Sequence, residues 1–134
     1  MKLRAFISTV IAITFAFALA SVSLAHQKTA APKLVVDKVD FDFGKVTEGK
    51  AVTHTFKLKN EGDAELIIKN VSPACGCTAS DFSKVIAPGG EGTVTLTVKT
   101  EGMTGKNSRY ADVISNDVKS SNLQLWIHMD VQKP

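Results

Sequence analysis

From residue 34 onward the apolar and polar positions of this chain alternate with a period of two rather than 3.6. The clearest stretch is 52–58, where Val52, His54, Phe56 and Leu58 share one side and Thr53, Thr55 and Lys57 take the other. Val94, Leu96 and Val98 alternate with Thr93, Thr95, Thr97 and Lys99. Leu123, Leu125, Ile127, Met129 and Val131 alternate with Gln124, Trp126, His128 and Asp130. Successive side chains of a strand point to opposite faces, so each stretch predicts a strand with one buried and one wet side. Shorter strands are expected at 34–38, 41–46, 66–71 and 109–115. Turn chemistry separates them: T-E-G-K at 47–50, N-E-G-D at 60–63, P-G-G-E-G at 88–92 and S-N-D at 115–117.

No window of ten or more residues reads as an amphipathic helix. About seven short strands in about 100 residues predict an all-β, immunoglobulin-like β-sandwich over 34–134, with a small barrel as the alternative. Trp126 falls on the outward side of its strand, so it does not play the part of the buried tryptophan of antibody domains. The start of the chain breaks the pattern. Lys2 and Arg4 precede 21 uncharged residues, 5–25, which close on Ser23-Leu24-Ala25. A basic start, an apolar stretch and a small-x-small exit predict a signal peptide over 1–25, an uncleaved membrane anchor being the alternative. No cysteine stands at the exit to carry a lipid. Residues 26–33, H-Q-K-T-A-A-P-K, read as a flexible leader.

Composition changes this picture little. The whole chain carries a net charge of +3. Without Lys2 and Arg4, 14 basic residues would face 13 acidic ones. A balance of that kind, with no basic cluster, argues against nucleic acid as a partner and against binding to an anionic membrane surface. After cleavage no membrane span would remain.

The turn and strand residues in their order carry a resemblance. F-D-F-G at 41–44, T-H-T-F at 53–56, N-E-G-D at 60–63, A-C-G-C-T at 74–78, I-A-P-G-G at 86–90 and S-N-D at 115–117 resemble the secreted bacterial proteins grouped as domain of unknown function 1573. That group is similar to the immunoglobulin-like modules of motile sperm and cilium-associated proteins. The resemblance spans 39–131 and implies a fold and a secretion route, but no settled activity.

Cys75 and Cys77 are the only cysteines. Two cysteines in an exported protein suggest a disulfide. In an extended strand, however, residues i and i+2 have α-carbons roughly 6.5–7 Å apart, at or beyond the usual limit of about 6.8 Å. Gly76 permits a tighter turn. A bridge there would be strained and easily exchanged, and its loop is too short to stabilise the fold much. Three readings stay open: a local turn clamp or half-buried thiols, a thiol-disulfide relay, or a Cu(I) site formed by Cys75 and Cys77. Thr78 and His54 are candidate accessory groups. His54 also reads as a histidine at the rim of the core, bonded to a backbone carbonyl. Lys84 is the nearest cation in sequence on the C-terminal side of the pair. His54, His128, Met103 and Met129 are too scattered to propose a zinc site. His26 as a first mature residue could bind copper through its amine and imidazole.

Trp126 and His128, on the outward side of the last strand, are candidates for a partner surface. No nucleophile elbow, H-E-x-x-H, phosphate-cradling loop or dinucleotide fingerprint is present. The expectation is a non-enzymatic, exported binding module, periplasmic or secreted, that needs no cofactor and takes another envelope or secreted protein as partner. A Cu(I) or thiol-redox protein is the rival.

Overall fold

A computed structural model describes residues 28–74 and 77–134, with the backbone alone for 77–80. The expected signal peptide lies outside the described residues, as do His26 and Cys75. Among the described residues nine strands follow in order: β1 (Leu34–Val36), β2 (Asp40–Thr47), β3 (Ala51–Asn60), β4 (Leu66–Pro73), β5 (Cys77–Phe82), β6 (Val85–Ile86), β7 (Glu91–Lys99), β8 (Gly105–Ser115) and β9 (Asn122–Gln132). No helix occurs among the described residues, and none there is long and apolar enough to cross a membrane.

The expected count of about seven strands is corrected to nine. β5 reads C-T-A-S-D-F, with no apolar alternation to announce it, and β6 has two residues. Both are specified by their partners: β5 pairs with β7, and β6 with the start of β4. The strands form two sheets, ordered β1-β3-β7-β5 and β2-β9-β8-β4-β6, which settles sandwich over barrel. Between β1 and β2 the chain changes sheets, so β1 runs antiparallel to β3 while β2 runs parallel to β9.

The alternating residues meet in one core. Phe56, Leu58, Val94, Leu96 and Val98 come from one sheet, and Leu66, Val113, Leu125, Ile127 and Val131 from the other. All are buried, and each such side chain stabilises the fold by about 1.5–3 kcal/mol relative to exposure.

The motifs that carried the family resemblance hold this core shut at one end. Asn60 is fully buried, and its Nδ2 donates to the carbonyls of Ala64 (2.8 Å) and Ile86 (3.0 Å). Its Oδ1 accepts from the N–H groups of Gly62 (2.9 Å) and Lys33 (3.2 Å). Asp117 is buried and accepts from the N–H of Leu34 at 2.8 Å and that of Lys119 at 2.8 Å. Burial alone would raise its pKa, but the N–H groups of Leu34, Lys119 and Ser120 outweigh burial and hold it below the ordinary value. Asn116 bonds Ile67 and Glu65, tying β4 to the same corner. Residues 31–33, part of the expected leader, bond along 61–63: Glu61 N–H to Lys33 O and Asp63 N–H to Ala31 O. Gly62 is required there, because a Cβ would strike the Ala31 carbonyl and come within 2.6 Å of Lys33 N.

Candidate functional site: the outer face of the five-stranded sheet

β9 is the second strand of its sheet, flanked by β2 and β8, and its odd-numbered residues fill the core. Alternation therefore places Gln124, Trp126, His128 and Asp130 on the outer face. The registers set their neighbours. Tyr110 and Asp40 stand opposite Trp126; Ser108 and Asp42 stand opposite His128; Asp112 stands opposite Gln124. Lys106 and Lys45 both stand opposite Asp130.

Trp126 and Tyr110, the chain's one tryptophan and one tyrosine, have ring centroids 4.9 Å apart. The His128 ring lies parallel to the indole within 6°, at 6.3 Å, and its Nδ1 is 2.8 Å from Ser108 Oγ. All three rings are half-buried, so the row is fixed against its neighbours while keeping a surface to solvent. Asp112 accepts from Gln124 Nε2 at 3.1 Å. Asp42 Oδ1 accepts from Gly44 N–H at 2.7 Å, where β2 shifts register. Gly44, at φ +66°, supplies the left-handed backbone of this irregularity. An open hollow of about 330 Å3, lined by residues including Asp42, Lys45, Lys106, Ser108, His128 and Asp130, adjoins the aromatic row.

His54 and the β5 backbone at Cys77 and Thr78 lie apart from this face. His54 belongs to β3, and its half-buried ring stacks on Phe41 of β2 at 3.6 Å and 9°, with Phe56 edge-on at 4.7 Å. It sits at the rim of the core as expected, but an aromatic stack takes the place of the expected carbonyl bond. Burial lowers its pKa below the ordinary 6.5, so the neutral ring is favoured. Cys77 and Thr78 open β5, their backbones registered with Val98 and Thr97. Their side chains, and all of Cys75, lie outside what is described. Ala74, the residue before Cys75, donates its N–H to the Tyr110 carbonyl at 2.9 Å.

Next to Tyr110, half-buried Arg109 donates through Nη1 to the Ser108 carbonyl, and its Nη2 is 4.0 Å from Met103 Sδ. Its Nε is buried without a partner among the described residues. Sequence reasoning missed Arg109 and Tyr110 because only strand register brings them to these places. Among the described residues no cluster of three His, Cys, Asp or Glu could hold a metal ion.

The fold has known relatives. A protein of unknown function from Porphyromonas gingivalis W83 superposes with a TM-score of 0.66 at 20% identity, covering 81% of this chain and 52% of that one. This chain thus spans about half of that protein's length. The PapD-like domain 7 of human CEP192 superposes with a TM-score of 0.64 at 14% identity, covering 86% and 96%. The periplasmic chaperone SfaE gives 0.53 at 11% identity, covering 75% and 58%. At these identities the likeness is one of fold, that of PapD-like, immunoglobulin-like sandwiches. No curated protein matches by sequence. The family model described as "Protein of unknown function (DUF1573)" matches residues 34–131, and the chain belongs to that family.

Proposed function

We propose that this protein is an exported, non-enzymatic binding module of the cell envelope that holds a partner protein on the outer face of its five-stranded sheet. The carrying observation is the placement of the one tryptophan beside the one tyrosine on that solvent-facing surface. Tryptophan and tyrosine are the residues in which binding energy concentrates at protein interfaces. The PapD-like likeness supports the reading by analogy of fold alone, one such neighbour being a periplasmic chaperone. The residues beneath the row are strand residues on a packed core, which gives a rigid platform.

The test replaces Gln124, beside the row, with a photo-cross-linking residue in the exported protein. A defined envelope protein should be captured, and capture should fail with Trp126→Ala. Failure to capture any specific protein at any salt concentration would sink the proposal.

A second reading is a thiol-redox or Cu(I) role for Cys75 and Cys77, two thiols separated by one residue in the sequence. The thiolate is the form that exchanges disulfides and binds soft metals. Mass spectrometry of the native protein, with and without alkylation and added Cu(I), decides it. Unreactive thiols that take up no copper would end this reading, and one copper per chain lost on Cys75→Ser would establish it.

A further inference from the structure

We infer that the outer face of the five-stranded sheet receives a basic, extended polypeptide segment, whose Lys or Arg side chains meet the aromatic row and pair with Asp40, Asp42 and Asp112. This rests on the binding-module reading above and adds the chemistry of the occupant.

The registers carry the argument. On the rows of β2, β9 and β8 that contain Gln124, Trp126 and His128, every charged side chain is a carboxylate: Asp112, Asp40 and Asp42. Cross-strand neighbours on one face have Cβ atoms about 4.5–5.5 Å apart, within reach of a shared ligand group. None of these carboxylates forms an ion pair among the described residues; the ion pairs there join Lys28 to Asp63, and Lys33 and Lys59 to Glu61. The cations on these three strands of the face, Lys45 and Lys106, stand together on the Asp130 row, beyond His128. The aromatic row is therefore bordered by negative charge that the protein does not neutralise there.

Tryptophan and tyrosine attract cations through their ring quadrupoles, and carboxylates accept paired hydrogen bonds from guanidinium. The two chemistries side by side fit Arg and Lys better than any neutral group. Trp126 and His128 are two residues apart on one strand, a spacing of roughly 6.5–7 Å. Basic residues at alternate positions of an extended segment repeat at the same distance. A neutral glycan would stack on the rings and donate hydroxyls to the carboxylates, but it would leave their charge unneutralised, which a basic segment does not.

Trp126, being the one tryptophan, reports occupancy by its fluorescence. The exported protein is titrated with three probes: a nine-residue peptide alternating Arg and Ser, the same peptide with Gln for Arg, and a neutral oligosaccharide. The expected result is a saturable change with the Arg peptide alone, weakening at least tenfold between about 50 and about 500 mM salt. Asp40→Asn combined with Asp42→Asn should weaken it about fivefold or more. Asparagine at 42 keeps an oxygen for the Gly44 N–H, and an unchanged unfolding midpoint will show that the variant folds. Equal response to the Gln peptide or the oligosaccharide, or indifference to both substitutions, overturns the inference but leaves the face a binding surface. Silence toward the Arg peptide also overturns it. Silence toward all three probes, together with failed cross-linking at position 124, removes the binding reading as well.

Discussion

On the four-stranded sheet, Thr53 meets Thr97 and Thr55 meets Thr95 across β3 and β7, each pair of hydroxyls 2.9 Å apart. Lys57 and Lys59 of β3 and Lys99 of β7 border that ladder. On the five-stranded sheet the corresponding positions hold Tyr110, Trp126 and His128, bordered by Asp40, Asp42 and Asp112. Both faces cover the same core with the same alternation. The threonine face satisfies its polar groups within itself, and β-branched residues suit a wet strand surface. The aromatic face leaves large rings partly exposed and carboxylates without ion pairs among the described residues. Under the proposed function, the difference separates a face that closes the fold from one that receives a partner.

The two faces differ only in their outer residues, so a change in the shared core should damage both alike. Leu96→Ala and Leu125→Ala, from opposite sheets, should each lower stability by about 2–5 kcal/mol in urea unfolding. A selective loss on one side would break the view of one cooperative sandwich. Asp117 accepts from Leu34 of the four-stranded sheet while following Ser115 of the five-stranded one, and Asp117→Ala should cost about 1–3 kcal/mol. Its pKa is lowered by folding, so the unfolded chain takes up the proton first. Stability from this group is whole above 3.8 and falls as pH drops from there toward the lowered folded value. Acid unfolding of Asp117→Asn should lack that part of the decline.

His54 lies at the seam where the two sheets meet, and its pKa is also lowered, which for a base has a different consequence. The unfolded histidine protonates first as pH falls below 6.5, so stability declines from there to the folded pKa and then levels. His54→Phe should flatten the unfolding midpoint across that interval and leave binding at the aromatic face unchanged. The smallest effect belongs to the threonine face: Thr55→Val should change stability by no more than about 0.5 kcal/mol and leave binding unaltered. A loss of binding there would contradict the assignment of roles to the two faces.

Much of the sandwich was legible in the residues themselves. The alternation at 52–58, 94–98 and 123–131 is the alternation of the core, and Trp126 and His128 stand outward as their parity requires. β5 and β6 were not legible, because their conformation comes from β7 and β4 rather than from their own pattern. The motifs that marked the family point to structure more than to chemistry. Asn60, Asn116 and Asp117 spend their side chains on backbone groups of distant strands. The acidic border of the aromatic row was hidden for a related reason. Asp40 and Asp42 come next to Trp126 and His128 only through the parallel pairing of β2 with β9, which no local pattern announces.

The most direct test maps both faces at once. Backbone amide resonances of the protein are followed by NMR while the alternating Arg-Ser peptide is added. Shifts are expected at Asp40, Asp42, Ser108, Tyr110, Trp126 and His128, with Thr53, Thr55, Thr95 and Thr97 unmoved. Shifts centred on the threonine ladder, or none on the aromatic face, would contradict that expectation.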